Sequence, residues 1–242
     1  MRNWVLSAAA VTMLVAAPVT TANASALAAL LASLARPEAD KVRDADRKPA
    51  EVMAFAGIRP GQKIAELAPG GGYYTRLLSA AVGPKGYVYT FAFRASPTLA
   101  EIAKISGNVS IGVGKAGDAL APELVDVVWT TQNYHDFKNV KVGDSDGAAV
   151  FNKAAFAALK PGGVYLINDH QSAKGVGATQ TSTLHRIEDA VVIREVEAAG
   201  FKLEARSEIL RHPADDHSLR VQESGVRGKT DQFLLRFRKP RK

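Results

Sequence analysis

The run Lys63-Ile64-Ala65-Glu66-Leu67-Ala68-Pro69-Gly70-Gly71-Gly72-Tyr73 constrains this chain more than any other feature. Its first half reads as a short buried strand. That strand breaks into three glycines opening a helix at 72–82, in which Tyr73, Leu77, Leu78 and Ala81 share one face. Glycines cluster at such a point when a turn needs positive φ, or when a ligand must touch the main chain where a Cβ would stand. A second run, Leu159-Lys160-Pro161-Gly162-Gly163-Val164-Tyr165-Leu166-Ile167-Asn168-Asp169, reads as a helix stopped by proline, a Gly-Gly reversal and another buried strand.

Around these runs, strand and helix patterns alternate with short links, which predicts a wound α/β sheet. Strands are expected at 63–68, 86–93, 109–113, 126–131, 164–168, 202–209 and 231–237. Helices are expected from Pro49 to Gly57 and at 72–82, 98–105, 149–159 and 189–199, with alanine-rich residues 27–34 helical in propensity.

With 242 residues and 47% hydrophobic content, one such domain can bury an adequate core without disulfides, and the chain has no cysteine. The net charge is +7, with the excess partly in the tail Arg236-Phe237-Arg238-Lys239-Pro240-Arg241-Lys242. That tail reads as solvated. A nucleic-acid surface would interleave its cations with stacking aromatics, so no nucleic-acid partner is expected. Arg2, the apolar residues 4–19 and Ala22-Asn23-Ala24 resemble an export signal cleaved after residue 24, which predicts a periplasmic or secreted protein. The apolar run is broken by Ser7, Thr12 and Pro18, so no stable membrane span is expected after cleavage.

In their order and separation, the two glycine runs resemble the class I S-adenosylmethionine-dependent methyltransferases. Arg43-Asp44, Asp46-Arg47-Lys48-Pro49, Asn133-Tyr134-His135-Asp136 and Leu184-His185-Arg186-Ile187 bring the likeness nearest to exported methyltransferase-like proteins of bacteria. The resemblance implies a Rossmann-like sheet of seven mostly parallel strands, in the order 3-2-1-4-5-7-6 with strand seven antiparallel and helices on both faces. With the export signal at 1–24 set apart, the chain divides into an N-terminal helical segment at 25–48 and a methyltransferase-like domain at 49–242, the resemblance itself running from about Asp44 to Pro240. The resemblance also implies S-adenosylmethionine as cofactor and a small-molecule or envelope acceptor of the methyl group.

The same likeness assigns the cofactor to Glu66, Ala68, Gly70, Gly71, Gly72, Tyr73 and Asp118. Glu66 would help hold the cationic amino end of the cofactor, and the helix opening at Tyr73 would offer its free N–H groups to the carboxylate. Asp118 in Gly117-Asp118-Ala119 would meet the adenine amine, or else cap its own turn. Ala68 stands where the first glycine of the motif falls, which is tolerable if the backbone there avoids positive φ. Ala92 stands where the family carries an acid for the ribose, a loss of about 1.5–3 kcal/mol for one charge-assisted hydrogen bond. A nicotinamide cofactor fits less well, because Thr75 occupies the third glycine of that fingerprint.

Adjacent strands in this fold bring Asn133-Tyr134-His135-Asp136 and Asp169-His170 together at the ligand face of the sheet. His135 is the first candidate for general base, with Asp136 or Asp169 orienting it and His170 second. No tight ligand spacing marks a metal site, so none is expected. His185-Arg186 would touch an anionic acceptor or pair with Glu188 or Asp189, and His212, Asp215, Asp216 and His217 read as solvated surface. Ala92, and a methyl donor made in the cytoplasm while the leader exports the chain, support the alternative of a non-catalytic nucleotide- or small-ligand-binding protein on the same scaffold.

Overall fold

The computed structural model describes residues 21–241. Residues 1–20 of the expected leader lie outside the described residues, and Ala22-Asn23-Ala24 falls within helix α1 (Thr21–Ser33). Two single-turn helices follow, α2 (Glu38–Lys41) and α3 (Asp44–Arg47), and then α4 (Pro49–Ala56). Pro49 sits in the first turn of α4, where its missing N–H costs nothing, and Gly57 closes the helix at φ 76°.

Strand β1 (Lys63–Leu67) leads through the glycine turn into α5 (Tyr73–Val82). Next come β2 (Tyr87–Ala92), α6 (Pro97–Ser106), β3 (Val109–Val113) and β4 (Val125–Thr131). A single turn α7 (Tyr134–Phe137), the two-residue strands β5 (Lys141–Val142) and β6 (Ser145–Asp146), and α8 (Gly147–Ala158) connect β4 to β7 (Leu159–His170). Helix α9 (Asp189–Ala198) precedes β8 (Lys202–Ser207) and β9 (Gln232–Arg238).

Seven of these strands form one sheet in the order β3-β2-β1-β4-β7-β9-β8, with β9 antiparallel to both neighbours and the other pairings parallel. This is the expected topology. Ile64 stands opposite Val88 on one side and Val127 on the other, so β1 is central and buried on both faces, as its apolar run requires. One core fills the space between the sheet and α1, α4 and α5, with Leu27, Leu31, Phe55, Leu78 and Trp129 buried in it. The other lies under α7, α8 and α9 and holds Phe137, Phe151, Val192, Val196 and Phe201. Burying each such side chain contributes roughly 1.5–3 kcal/mol. Leu27 and Leu31 therefore bind the N-terminal segment to the core that carries the glycine turn.

One expectation is refined and one changes. The Gly-Gly turn lies inside β7 rather than before it: Val125 pairs with Leu159 but Val127 with Val164, so residues 160–163 bulge with Gly162 at φ 79°, while Gly162 donates to Lys239 O and Lys239 donates to Gly163 O, each at 2.9 Å. The basic tail is correspondingly tied down rather than solvated. Arg238 pairs with Glu204, Arg236 lies over the Phe55 ring, and Lys239 Nζ donates to Phe156 O and Leu159 O. Among the described residues no helix is long and apolar enough to cross a membrane.

Candidate functional site

The chain leaves β1 through Ala68 at φ 57°, Gly70 at φ 58° and Gly72 at φ 79°. Ala68 is thus left-handed, against the expectation drawn from its side chain, and an L-residue there costs roughly 1–2 kcal/mol. Its amide holds it in place by donating to Phe91 O at 2.9 Å, while Asn133 Nδ2 donates to its carbonyl at 3.1 Å. The three glycines serve different ends. A Cβ on Gly72 would fall 2.3 Å from Ile102 Cδ1, the end of a side chain of α6 that would have to shift, and the φ of 79° favours glycine there. A Cβ on Gly70 or Gly71 would meet no atom within 4 Å among the described residues, which leaves main chain bare beside an opening. Gly72 caps α5 without a side-chain bond, so the first N–H groups of α5 keep their donor capacity.

That opening is a cavity of about 640 Å³, within the range of small-molecule sites, at the carboxyl ends of β1, β2 and β4. Ala68, Pro69 and Gly70 form one wall, and Phe93, Phe137 and Val140 form an apolar one. Phe93 is 49% exposed, edge-on to Phe137 and tilted against Phe151, and gives the cavity an exposed aromatic surface. The end of β2 brings Ala92 and Arg94 to this cavity. Asp136 is its one lining carboxylate among the described residues.

Glu66 and Asp118 lie away from it. Glu66 is buried beneath the turn and accepts from Thr75 Oγ1 at 2.6 Å, and burial lifts its pKa to about 7. Asp118 accepts from the Lys115 amide at 2.9 Å and so caps its own turn. Tyr73 contributes main chain to the helix start, while its hydroxyl donates to Asp44 at 2.7 Å.

A second cavity, about 580 Å³, lies on the far side of Asp136 and is lined by His135 and His170. Arg43, Arg47 and Arg227 also line it, outnumbering the carboxylates of Asp46 and Asp136. Arg47 stacks 4.7 Å over the Tyr73 ring and donates to Gln132, whose backbone is left-handed at φ 58°. Among the described residues no carboxylate bonds Arg47, and burial lowers its pKa. A half-buried guanidinium that faces a hollow with no carboxylate partner is a ready receptor for an anionic group. Sequence reasoning missed Arg47 and Gln132. Only the tertiary fold lays residues 36–48 across the start of α5, through Arg36 and Tyr73 on Asp44 and Arg76 on Asp40.

Asp169 and His135 meet as expected. Asp169 Oδ1 lies 2.8 Å from His135 Nδ1, and Oδ2 accepts the His135 amide at 2.7 Å. Burial pulls the imidazole pKa down, yet the Asp169 carboxylate more than offsets this and holds it above its ordinary value. Burial likewise pushes Asp169 up, but His135 keeps it below the usual carboxylate range. His170 differs. Burial drives its pKa to about 4, and its Nδ1 lies 2.8 Å from Thr230 Oγ1, so it is a neutral wall residue at physiological pH.

His135 Nε2 lies 3.2 Å from His185 Nδ1 and 3.4 Å from Asp136 Oδ1, and those two atoms are 3.2 Å apart. Asp136 is thus shared by both cavities and by this cluster, and His185 joins it from a backbone at φ 56°. The expected partners of Arg186 are replaced. Its guanidinium is fully buried and bonds Asp215 through both terminal nitrogens, at 2.8 and 3.1 Å. His217 Nε2 lies 3.1 Å from Asp231, and the His212 amide donates to the same carboxylate at 2.8 Å. The loop read as solvated therefore carries a buried ionic clamp. A third cavity, about 1170 Å³, lies between residues 34–41, α5 and α6, and includes none of the strand ends.

No protein-family model matches the sequence, and no curated protein matches it. Solved structures do. A SAM-dependent methyltransferase from Aquifex aeolicus superposes with a TM-score of 0.58 at 19% identity, over 85% of this chain and 100% of that one. A putative sarcosine dimethylglycine methyltransferase from Galdieria sulphuraria gives 0.59 at 16% identity, over 82% and 85%. The cyclase SpnF gives 0.61 at 15% identity, over 82% of each chain. At these identities the likeness is one of fold, a Rossmann-like α/β sheet shared with methyltransferases and with a cyclase.

Proposed function

We propose that this protein is an S-adenosylmethionine-dependent methyltransferase acting on a small molecule that carries an anionic group. The observation behind this reading is the pair of cavities meeting at Asp136, one walled by bare main chain of the glycine turn, the other by His135 and Arg47. When bound, S-adenosylmethionine supplies an electrophilic methyl group. In this reading Gly70 and Ala68 face its amino-acid end, the uncapped start of α5 favours its carboxylate, and Phe93, Phe137 and Val140 take its base.

The residues here make the fit a reasonable one, with one departure at Ala92. Ribose hydroxyls would find Asp136 as the lining carboxylate in place of an acid ending β2. On the acceptor side, Arg47 and Arg43 would hold the anionic group, and His135, oriented by Asp169, would take the proton of the acceptor nucleophile. Displacement at a sulfonium methyl needs little more than this positioning. The leader-like residues 1–24 place the protein in the periplasm or outside the cell in this reading.

Calorimetric titration with S-adenosylmethionine, its demethylated product and NAD tests the proposal. Micromolar binding of the first two, lost in Gly70→Arg, is the expected result. NAD binding alone, or no binding, would defeat it. A second reading, a non-catalytic binder of a nucleotide or another small ligand, is favoured by Ala92. It predicts ligand binding with no methyl transfer to any of a panel of carboxylic-acid and phosphate-bearing acceptors.

A further inference from the structure

We infer that His135 Nε2, Asp136 Oδ1 and His185 Nδ1 form a binding site for one divalent transition-metal ion of the zinc type. The three atoms make a nearly equilateral triangle with edges of 3.2, 3.4 and 3.2 Å. An ion held tetrahedrally at about 2.0–2.1 Å from each ligand requires ligand–ligand separations of about 3.3–3.4 Å, so the triangle is already one face of such a polyhedron. Two imidazoles and a carboxylate suit zinc, cobalt, nickel or iron(II) better than magnesium or calcium.

Three further observations point the same way. The Asp169 carboxylate sits 2.8 Å from Nδ1 of His135, which fixes the proton there and turns the Nε2 lone pair into the triangle. That carboxylate–histidine relay is the usual support behind a metal-bound imidazole. His185 is held in a left-handed backbone at φ 56° between anchored neighbours: Arg186 is clamped by Asp215, and the Ile187 amide donates to His170 O at 3.0 Å. Such strain persists where the surrounding structure over-determines a residue, and it clusters at functional positions. Finally, His135 and Asp136 line the second cavity, which supplies an entry path and room for a fourth ligand.

One contact opposes the ion. Arg220 Nη2 lies 2.9 Å from His185 Nε2, and an imidazole metallated at Nδ1 carries its proton on Nε2, so the guanidinium must turn away. Arg220 is exposed and free to do so. The inference does not rest on methyl transfer, because the ligand atoms stand together whatever the cavities bind. Where both hold, His135 and Asp136 serve as metal ligands rather than as base and ribose acceptor.

Chelator-stripped full-length protein, without S-adenosylmethionine, is titrated with Zn²⁺ and separately with Co²⁺. The expected result is one ion per chain, with visible d–d bands of low-coordinate Co²⁺ that Zn²⁺ abolishes. His185→Ala, whose ring is partly exposed, should weaken binding by more than about 100-fold while its melting temperature in chelator stays unchanged. Asp169→Asn should weaken it by about 10–100-fold, as loss of a supporting carboxylate does. Arg220→Ala should tighten it several-fold. Absence of stoichiometric binding, or undiminished binding by His185→Ala, would overturn the site. The ligand titrations of the methyl-transfer reading are read separately, so either can fail alone.

Discussion

Asp169 meets His135 through both carboxylate oxygens, one 2.8 Å from Nδ1 and the other accepting the main-chain N–H at 2.7 Å, and the carboxylate is fully buried. Removing it strands a buried imidazole and an unpaired amide. Asp169→Ala is expected to cost about 3–5 kcal/mol of unfolding free energy in urea. Asp136→Ala removes a half-exposed carboxylate of the same cluster and should cost less than about 1 kcal/mol. Equal losses would mean the cluster is not organised around Asp169.

Ala68 stores backbone strain at the mouth of the first cavity. Ala68→Gly removes a left-handed L-residue but loosens the unfolded chain, and the balance is a gain of about 0.5–1 kcal/mol. Ala68→Val should lose stability, because a branched Cβ suits that backbone still less. A thermal melt of the three proteins gives the order Gly, Ala, Val.

The glycine turn separates packing from binding. Gly72→Ala puts an L-residue at φ 79° and displaces the end of the Ile102 side chain, and should cost about 1–2 kcal/mol. Gly71→Ala meets open space at ordinary φ, so its melting temperature should match the parent. A destabilised Gly71→Ala would show that the turn packs against something other than solvent or ligand.

Glu66 makes stability depend on pH. Its folded pKa is lifted to about 7 by burial, from an ordinary 4.5, so the folded chain keeps a proton that the unfolded chain has released. Stability is therefore full below about pH 4.5 as far as this group is concerned, and falls as pH rises to about 7. The loss is about 3 kcal/mol across that window. Glu66→Gln keeps an acceptor for Thr75 and should flatten this part of the profile in urea unfolding at successive pH values.

The buried pair Arg186–Asp215 predicts a further asymmetry. Asp215→Asn leaves a fully buried guanidinium without its charge partner and should cost about 3–5 kcal/mol. The double variant Arg186→Met with Asp215→Asn, which removes the buried charge and keeps an acceptor for the Asp231 and His217 amides, should recover much of that. A double-mutant cycle by urea unfolding measures the coupling.

Much of the fold was legible in the chain because its causes are local. The apolar runs at Lys63–Leu67 and Val125–Thr131 alternate with amphipathic helices such as Tyr73–Val82, and that rhythm leaves few ways to wind a sheet. The convergence of His135 and Asp169 followed from the adjacency of two strands. What the tertiary structure alone decided depends on residues far apart. His185 reaches His135 across 50 positions, Arg47 reaches Gln132 across 85, and Arg186 finds Asp215 rather than the acids beside it. The role of each glycine also needed three dimensions, since Gly72 answers to Ile102 on another helix while Gly70 answers to empty space. Periodicity and turn chemistry act over a few residues and can be read in order. Side-chain charge and hydrogen bonding act over a few ångströms, and only the folded chain says which residues are that close.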